Sequence, residues 1–250
     1  MRLIVSRYSF LVVLGSFFFL IFLGALLFMI PGSVMNTSIS CIDAFFLSVS
    51  AVTGTGITAI PISLLSTFGK IFLIFLMYVG SIGILTILLG IIFYFSFYSI
   101  EWYGLATEIL DIISVQAISS FFKVMFCATL IMQFFGTLSI ITLSYWLECP
   151  LSFIDAIFIS INCFCNVGFN INESVPPIMI NHELFYLIMI ALILVGSSGF
   201  LFLFEVTEYM KQRLKKKVYT FSLTSRLMIK VYFTSVCLFW IFYFFSVKMR

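Results

Sequence analysis

Apolar residues gather in five long stretches, near 8–30, 68–95, 121–146, 184–204 and 227–247, each reaching the roughly 20 residues that the hydrocarbon of a bilayer requires. Between them run two shorter apolar segments, 42–52 and 154–164, of about 11 residues each, too short to cross and too apolar for an exposed loop. The pattern predicts an all-α polytopic membrane protein with five spans and two re-entrant helices. Each short segment opens on an aspartate, Asp43 or Asp155, a residue suited to cap the free N–H groups at a helix start.

The two short segments are related. Residues 41–60, CIDAFFLSVSAVTGTGITAI, align without gaps to 153–172, FIDAIFISINCFCNVGFNIN, sharing the Ile-Asp-Ala start, Phe46 with Phe158, Ser48 with Ser160 and Gly56 with Gly168. Downstream, Val79-Gly80-Ser81-Ile82-Gly83 resembles Val195-Gly196-Ser197-Ser198-Gly199 after a small insertion. Membrane transport proteins are commonly assembled from such duplications. The expected organisation is a first repeat over 1–95 (outer helix 8–30, pore helix 42–52, filter 53–57, inner helix 68–95) and a linker over 96–120. A second repeat follows over 121–208 (outer helix 121–146, pore helix 154–164, filter 165–169, inner helix 184–208), then a basic linker over 209–226 and a further transmembrane helix from 227 to 250.

Composition agrees: 63% of the 250 residues are hydrophobic and 9% charged, against about 25% charged in soluble domains. The basic residues Lys211, Arg213, Lys215, Lys216, Lys217, Arg226 and Lys230, with Arg2 and Arg7, place those segments and the N-terminus in the cytoplasm by the positive-inside rule. Residues 147–183 then lie outside and hold Glu148, Asp155, Glu173 and Glu183 without Lys or Arg, whereas the linker with Glu101, Glu108 and Asp111 is the exception. The first stretch is too long for a signal h-region and reads as a retained span. A net charge of +3 carried beside span ends serves topology and anionic lipid and argues against nucleic acid.

The connecting chemistry points to cations. A short helix entering from outside aims its partially negative C-terminus at the membrane centre. The chain must then return without helical hydrogen bonds, which is tolerated only inside protein or beside water. Thr53-Gly54-Thr55-Gly56-Ile57 and Cys165-Asn166-Val167-Gly168-Phe169 are those return segments, and their backbone carbonyls are expected to replace the hydration shell of a cation, as rings of carbonyls do in ion filters. Gly56 and Gly168 allow angles closed to a β-carbon. Gly80/Gly83 and Gly196/Gly199 are expected to bring the inner helices close to the return segments. The spans hold essentially no ionisable residues: Lys70 and Lys123 sit at span starts, and Glu205 and Glu208 at the cytoplasmic end of the fourth. His182 reads as a solvated loop residue. The six cysteines lack metal-type spacing and read as structural, with an outer Cys41–Cys149 disulfide as the alternative. No nucleophile-base set or phosphate loop suggests an enzyme.

The motifs S-A-V-T-G-T-G-I-T at 50–58, F-G-K at 68–70, V-G-S-I-G-I-L-T at 79–86 and S-I-N-C-F-C-N-V-G-F-N at 160–170 resemble the Trk/Ktr/HKT superfamily of K⁺ transporters, in particular the bacterial TrkH/KtrB membrane subunit. The resemblance implies K⁺ uptake, with Na⁺ as co-ion in some members, and Gly56 and Gly168 as filter glycines. It further implies homodimers of the membrane subunit and a cytoplasmic nucleotide-binding regulatory subunit. Members carry four repeats in one chain; here there are two and the outer helix of a third. A truncated or split reading frame is the expectation, with missing repeats supplied in cis or in trans, and a half-length protein that builds its pore from several chains is the alternative. An inactive remnant and a secondary carrier with broken helices are the competing functions.

Overall fold

The computed structural model describes residues 2–35, 39–83, 115–172, 174–214, 221 and 225–235. Their regular structure is helical, and the sole strand-like pairing among them is one isolated bridge between Val34 and Leu65. The helices are α1 (Arg2–Met29), α2 (Cys41–Thr53), α3 (Thr67–Ile82), α4 (Val115–Trp146), α5 (Phe153–Phe164), the single turn α6 (Pro177–Ile180), α7 (Glu183–Ser197) and α8 (Phe200–Leu214). Residues 225–235 are helical as well. The chain forms two compact units, Met1–Ser197 and Ser198–Arg250.

Within the larger unit α1, α2 and α3 pack on one another, as do α4, α5 and α7, and α3 joins the two sets by lying against α5. Residues 2–83 and 115–197 are hereafter its first and second halves. One core runs through both, from Leu20, Leu47, Leu73 and Leu76 to Ile140, Phe158, Ile159 and Phe185. The same contacts recur in each half. A Cβ on Gly24 of α1 would meet Ser48 Oγ of α2 and, at 2.6 Å, Leu76 of α3. A Cβ on Gly136 of α4 would meet Ser160 Oγ of α5 at 2.5 Å and Leu192 of α7 at 2.8 Å. Each serine hydroxyl donates back to the long helix, Ser48 to the Ile21 carbonyl at 2.6 Å and Ser160 to Gln133 Oε1 at 2.8 Å. A glycine facing a hydroxyl lets two backbones approach closely while the buried hydroxyl keeps a partner.

Several expected boundaries move. α4 begins at Val115, inside the segment read as a linker, because Val115–Ser120 contains no glycine or proline to stop a helix. The inner helices are not continuous through their glycines. α3 ends at Ile82, with Gly83 at φ +83, and α7 ends at Ser197, with Gly199 at φ +79. A left-handed residue cannot continue a right-handed helix, so the apolar runs 68–95 and 184–208 are interrupted where composition alone shows no break. α8 carries helix to Leu214, past the expected end. The rest of the first inner helix and the start of the linker (84–114), the basic residues 215–217 and the end of the last span (236–250) lie outside the described residues, as does Glu173.

Of the described helices, α4 is long and apolar enough over Ser120–Trp146 to cross a membrane by itself. Leu14–Met29, α2, α3 and α5 are apolar and shorter.

Candidate functional site

Both short helices begin in the same way, one turn earlier than the aspartates suggested. The N-cap of α2 is Ser40, whose Oγ accepts from Asp43 N–H at 3.1 Å and donates to Asp43 Oδ2 at 2.7 Å. The N-cap of α5 is Ser152, accepting from Asp155 N–H at 3.2 Å. Asp43 and Asp155 are therefore third helical residues whose N–H groups are capped by a serine, not the caps themselves. The aspartate stood out in the alignment because it is shared by both segments, and the cap before it lay outside the aligned window.

Asp155 has a second partner. Lys70 Nζ of α3 reaches Asp155 Oδ1 at 2.5 Å, with both side chains about 15% exposed. Lys70 thus ties the first half to the start of α5, beyond the interfacial place that sequence gave it. Deeper along the same junction, Tyr78 Oη of α3 donates to Thr129 Oγ1 of α4 at 2.8 Å.

The return segments leave their helices through left-handed residues at matching places. Thr53 is the last residue of α2, Gly54 is its C-cap at φ +69, and Gly56 is again left-handed at φ +69. In the second half Cys165 is a right-handed C-cap, followed by Asn166 at φ +54 and Gly168 at φ +86. Asn is the residue that replaces Gly in this region at least cost, which explains Asn166 opposite Gly54. Each segment folds back onto its helix, Thr55 N–H bonding the Ser50 carbonyl and Val167 N–H the Asn162 carbonyl, both at 3.1 Å.

Beyond that point the halves differ. Asn162 is buried in α5 and clasps the Phe169 backbone from both sides, Nδ2 donating to the Phe169 carbonyl and Oδ1 accepting its N–H, each at 2.9 Å. The Phe169 carbonyl, expected among the ion ligands, is committed to this amide. The first half has Ser50 in that position, joined by Thr55 Oγ1 at 3.2 Å, and Ile57 stands exposed where Phe169 is buried. Sequence reading passed over Asn162; the signal was a polar amide inside an otherwise apolar helix. Asn162→Ala is expected to lower stability by about 2–4 kcal/mol, since two buried backbone groups lose their partners. Detergent thermal unfolding checks this, and an unchanged midpoint would refute the clasp.

The two segments meet. A Cβ on Gly56 would strike the Val167 carbonyl oxygen and lie 2.5 Å from the Gly168 carbonyl carbon, whereas a Cβ on Gly168 would enter open space. A cavity of about 300 Å³ opens beside them, lined by Thr53, Gly54, Cys165, Asn166 and Val167 with Phe17, Met77 and Ser81 around them. Gly80 and Gly196 press on the ends of the short helices, the Val52 and Phe164 backbones taking the space of their missing side chains. Gly83 and Gly199, expected to do the same, terminate helices instead.

His182 is half-buried. Its Nδ1 accepts from Leu184 N–H at 3.2 Å, capping the start of α7, and its ring stands edge-on to Trp146. Cys41 and Cys149 are free thiols, so the alternative disulfide is not formed. Among the described residues no group of three His, Cys, Asp or Glu side chains is placed to hold a metal ion. No protein-family model and no curated protein matches this sequence.

Proposed function

We propose that this chain is a polytopic membrane subunit that passes K⁺ through a pore lined by backbone carbonyls, and that its two halves are copies of one helix, return-loop, helix unit contributing half of that pore. The observation that carries the reading is the pair of return segments in backbone contact, each left-handed at alternate positions, 54 and 56 or 166 and 168. In an extended strand successive carbonyls point to opposite sides. A left-handed residue at every second position removes that alternation and lets consecutive oxygens turn toward one axis. The helices before the segments end at this place, adding their negative dipole ends. The resemblance to Trk/Ktr transporters points to K⁺, and the recurring glycine, serine and leucine contacts support the duplication. Exposed Phe18, Phe19, Phe22, Phe134 and Phe135 on α1 and α4 suit a lipid surroundings. The N-terminus lies in the cytoplasm, and the return segments open outward.

The test is ⁸⁶Rb⁺ uptake in cells lacking their own K⁺ uptake systems, expressing the chain alone or together with a chain carrying two further return loops. Uptake competed by external K⁺ is the expected result. Membrane accumulation without uptake in either arrangement would exclude the pore.

A further inference from the structure

The junction between the halves is head-to-tail: the third helix of the first half, α3, seats on the short helix of the second, α5. Such a contact uses different surfaces on its two sides, so each half keeps one surface unused. The unused surfaces are visible as exposure at equivalent positions. Met77 of α3 is 0% exposed, while Ile193, its equivalent on α7, is 37% exposed. Phe158 of α5 is 0% exposed, while its equivalent Phe46 on α2 is 43% exposed. Phe169 is 2% exposed against 62% for Ile57.

We propose that a second copy of this chain covers these surfaces, α7 of each copy seating on α2 of the other as α3 seats on α5 within one chain. The proposal rests on reading the halves as copies of one unit. The equivalent residues fit. Where Lys70 meets Asp155, Tyr186 would meet Asp43, a phenol donor facing a carboxylate bonded by Ser40 among the described residues. Where Tyr78 meets Thr129, Leu194 would meet Phe17, an apolar pair in place of a polar one. Where Gly56 lies against the Val167 and Gly168 backbone, Gly168 would lie against Thr55 and Gly56 of the other copy, which is why a Cβ at Gly168 faces open space in one chain. Two copies joined by two such junctions make the smallest closed assembly, because a head-to-tail contact must either close or continue indefinitely. An apolar stripe over Tyr186, Ile190, Ile193 and Leu194 meeting Phe46 and Ile57 would also be shielded from lipid and water alike.

The test is crosslinking in membranes with a short bis-maleimide, in a Cys41→Ser background. Asp43→Cys with Tyr186→Cys is expected to give a band at twice the 28.5 kDa chain mass, absent from either single variant. Lys70→Cys with Asp155→Cys is the folding control and is expected to crosslink within one chain. A control that reacts while the 43/186 pair stays monomeric, or reacts with a different protein, overturns the second copy. ⁸⁶Rb⁺ uptake separates the two readings: a double-mass band without uptake leaves the assembly standing and removes the pore, and uptake without the band does the reverse.

Discussion

Gly56→Ala is expected to abolish ⁸⁶Rb⁺ uptake and to destabilise the protein by about 4 kcal/mol, whereas Gly168→Ala leaves the larger unit folded. Both glycines are left-handed, at φ +69 and +86, so each alanine meets a backbone strain of about 1–3 kcal/mol. Only at Gly56 does the new methyl also run into main chain, the Val167 carbonyl oxygen and the Gly168 carbonyl, which adds about 1–3 kcal/mol of overpacking. No flexible side chain can move aside to relieve it. Unfolding in detergent separates the two effects from changes in transport. Measured on single chains dissociated in detergent, equal stabilities of the two variants would show that the return segments are not in contact.

The second large effect is expected at Gly196. An alanine there drives its methyl into the Phe164 carbonyl, with the carbonyl carbon at 2.7 Å, in the last turn of α7, where the obstacle is main chain and not a movable side chain. Gly80→Ala meets Val52 in the same manner, the Val52 Cα lying at 2.7 Å. Loss of about 3 kcal/mol or more is anticipated for each, read as reduced accumulation in membranes and a lowered unfolding midpoint. Wild-type levels of both variants would mean that the third helices stand farther from the short helices than described. Gly15→Ala, with nothing near its Cβ position, is the matched control.

The short helices, their spacing and the shared glycines were legible in sequence because each rests on a local rule. A span of apolar residues has a length, a return from a helix needs small residues, and duplication preserves order. What was not legible depends on partners distant in sequence. Lys70 read as an interfacial residue at a span start, and only packing places its ammonium on Asp155, 85 residues away. Gly24 and Gly136 were unremarkable within apolar runs until each was found opposite a serine of the neighbouring helix. The breaks at Gly83 and Gly199 were hidden for another reason: hydropathy is averaged over a window, and one left-handed residue changes the backbone without changing the average.

Those breaks set a depth. α3 spans 16 residues, which at about 1.5 Å per residue is about 24 Å, short of the roughly 30 Å of hydrocarbon in a bilayer. On the membrane reading, the last carbonyls of α3 are therefore presented before the far side is reached, where lipid tails cannot satisfy them. α7, at 15 residues, is about as short, and it ends two residues before the equivalent glycine, Gly199. On that reading an ion leaving the return segments would meet the helix-end oxygens of α3 before it reached the membrane surface.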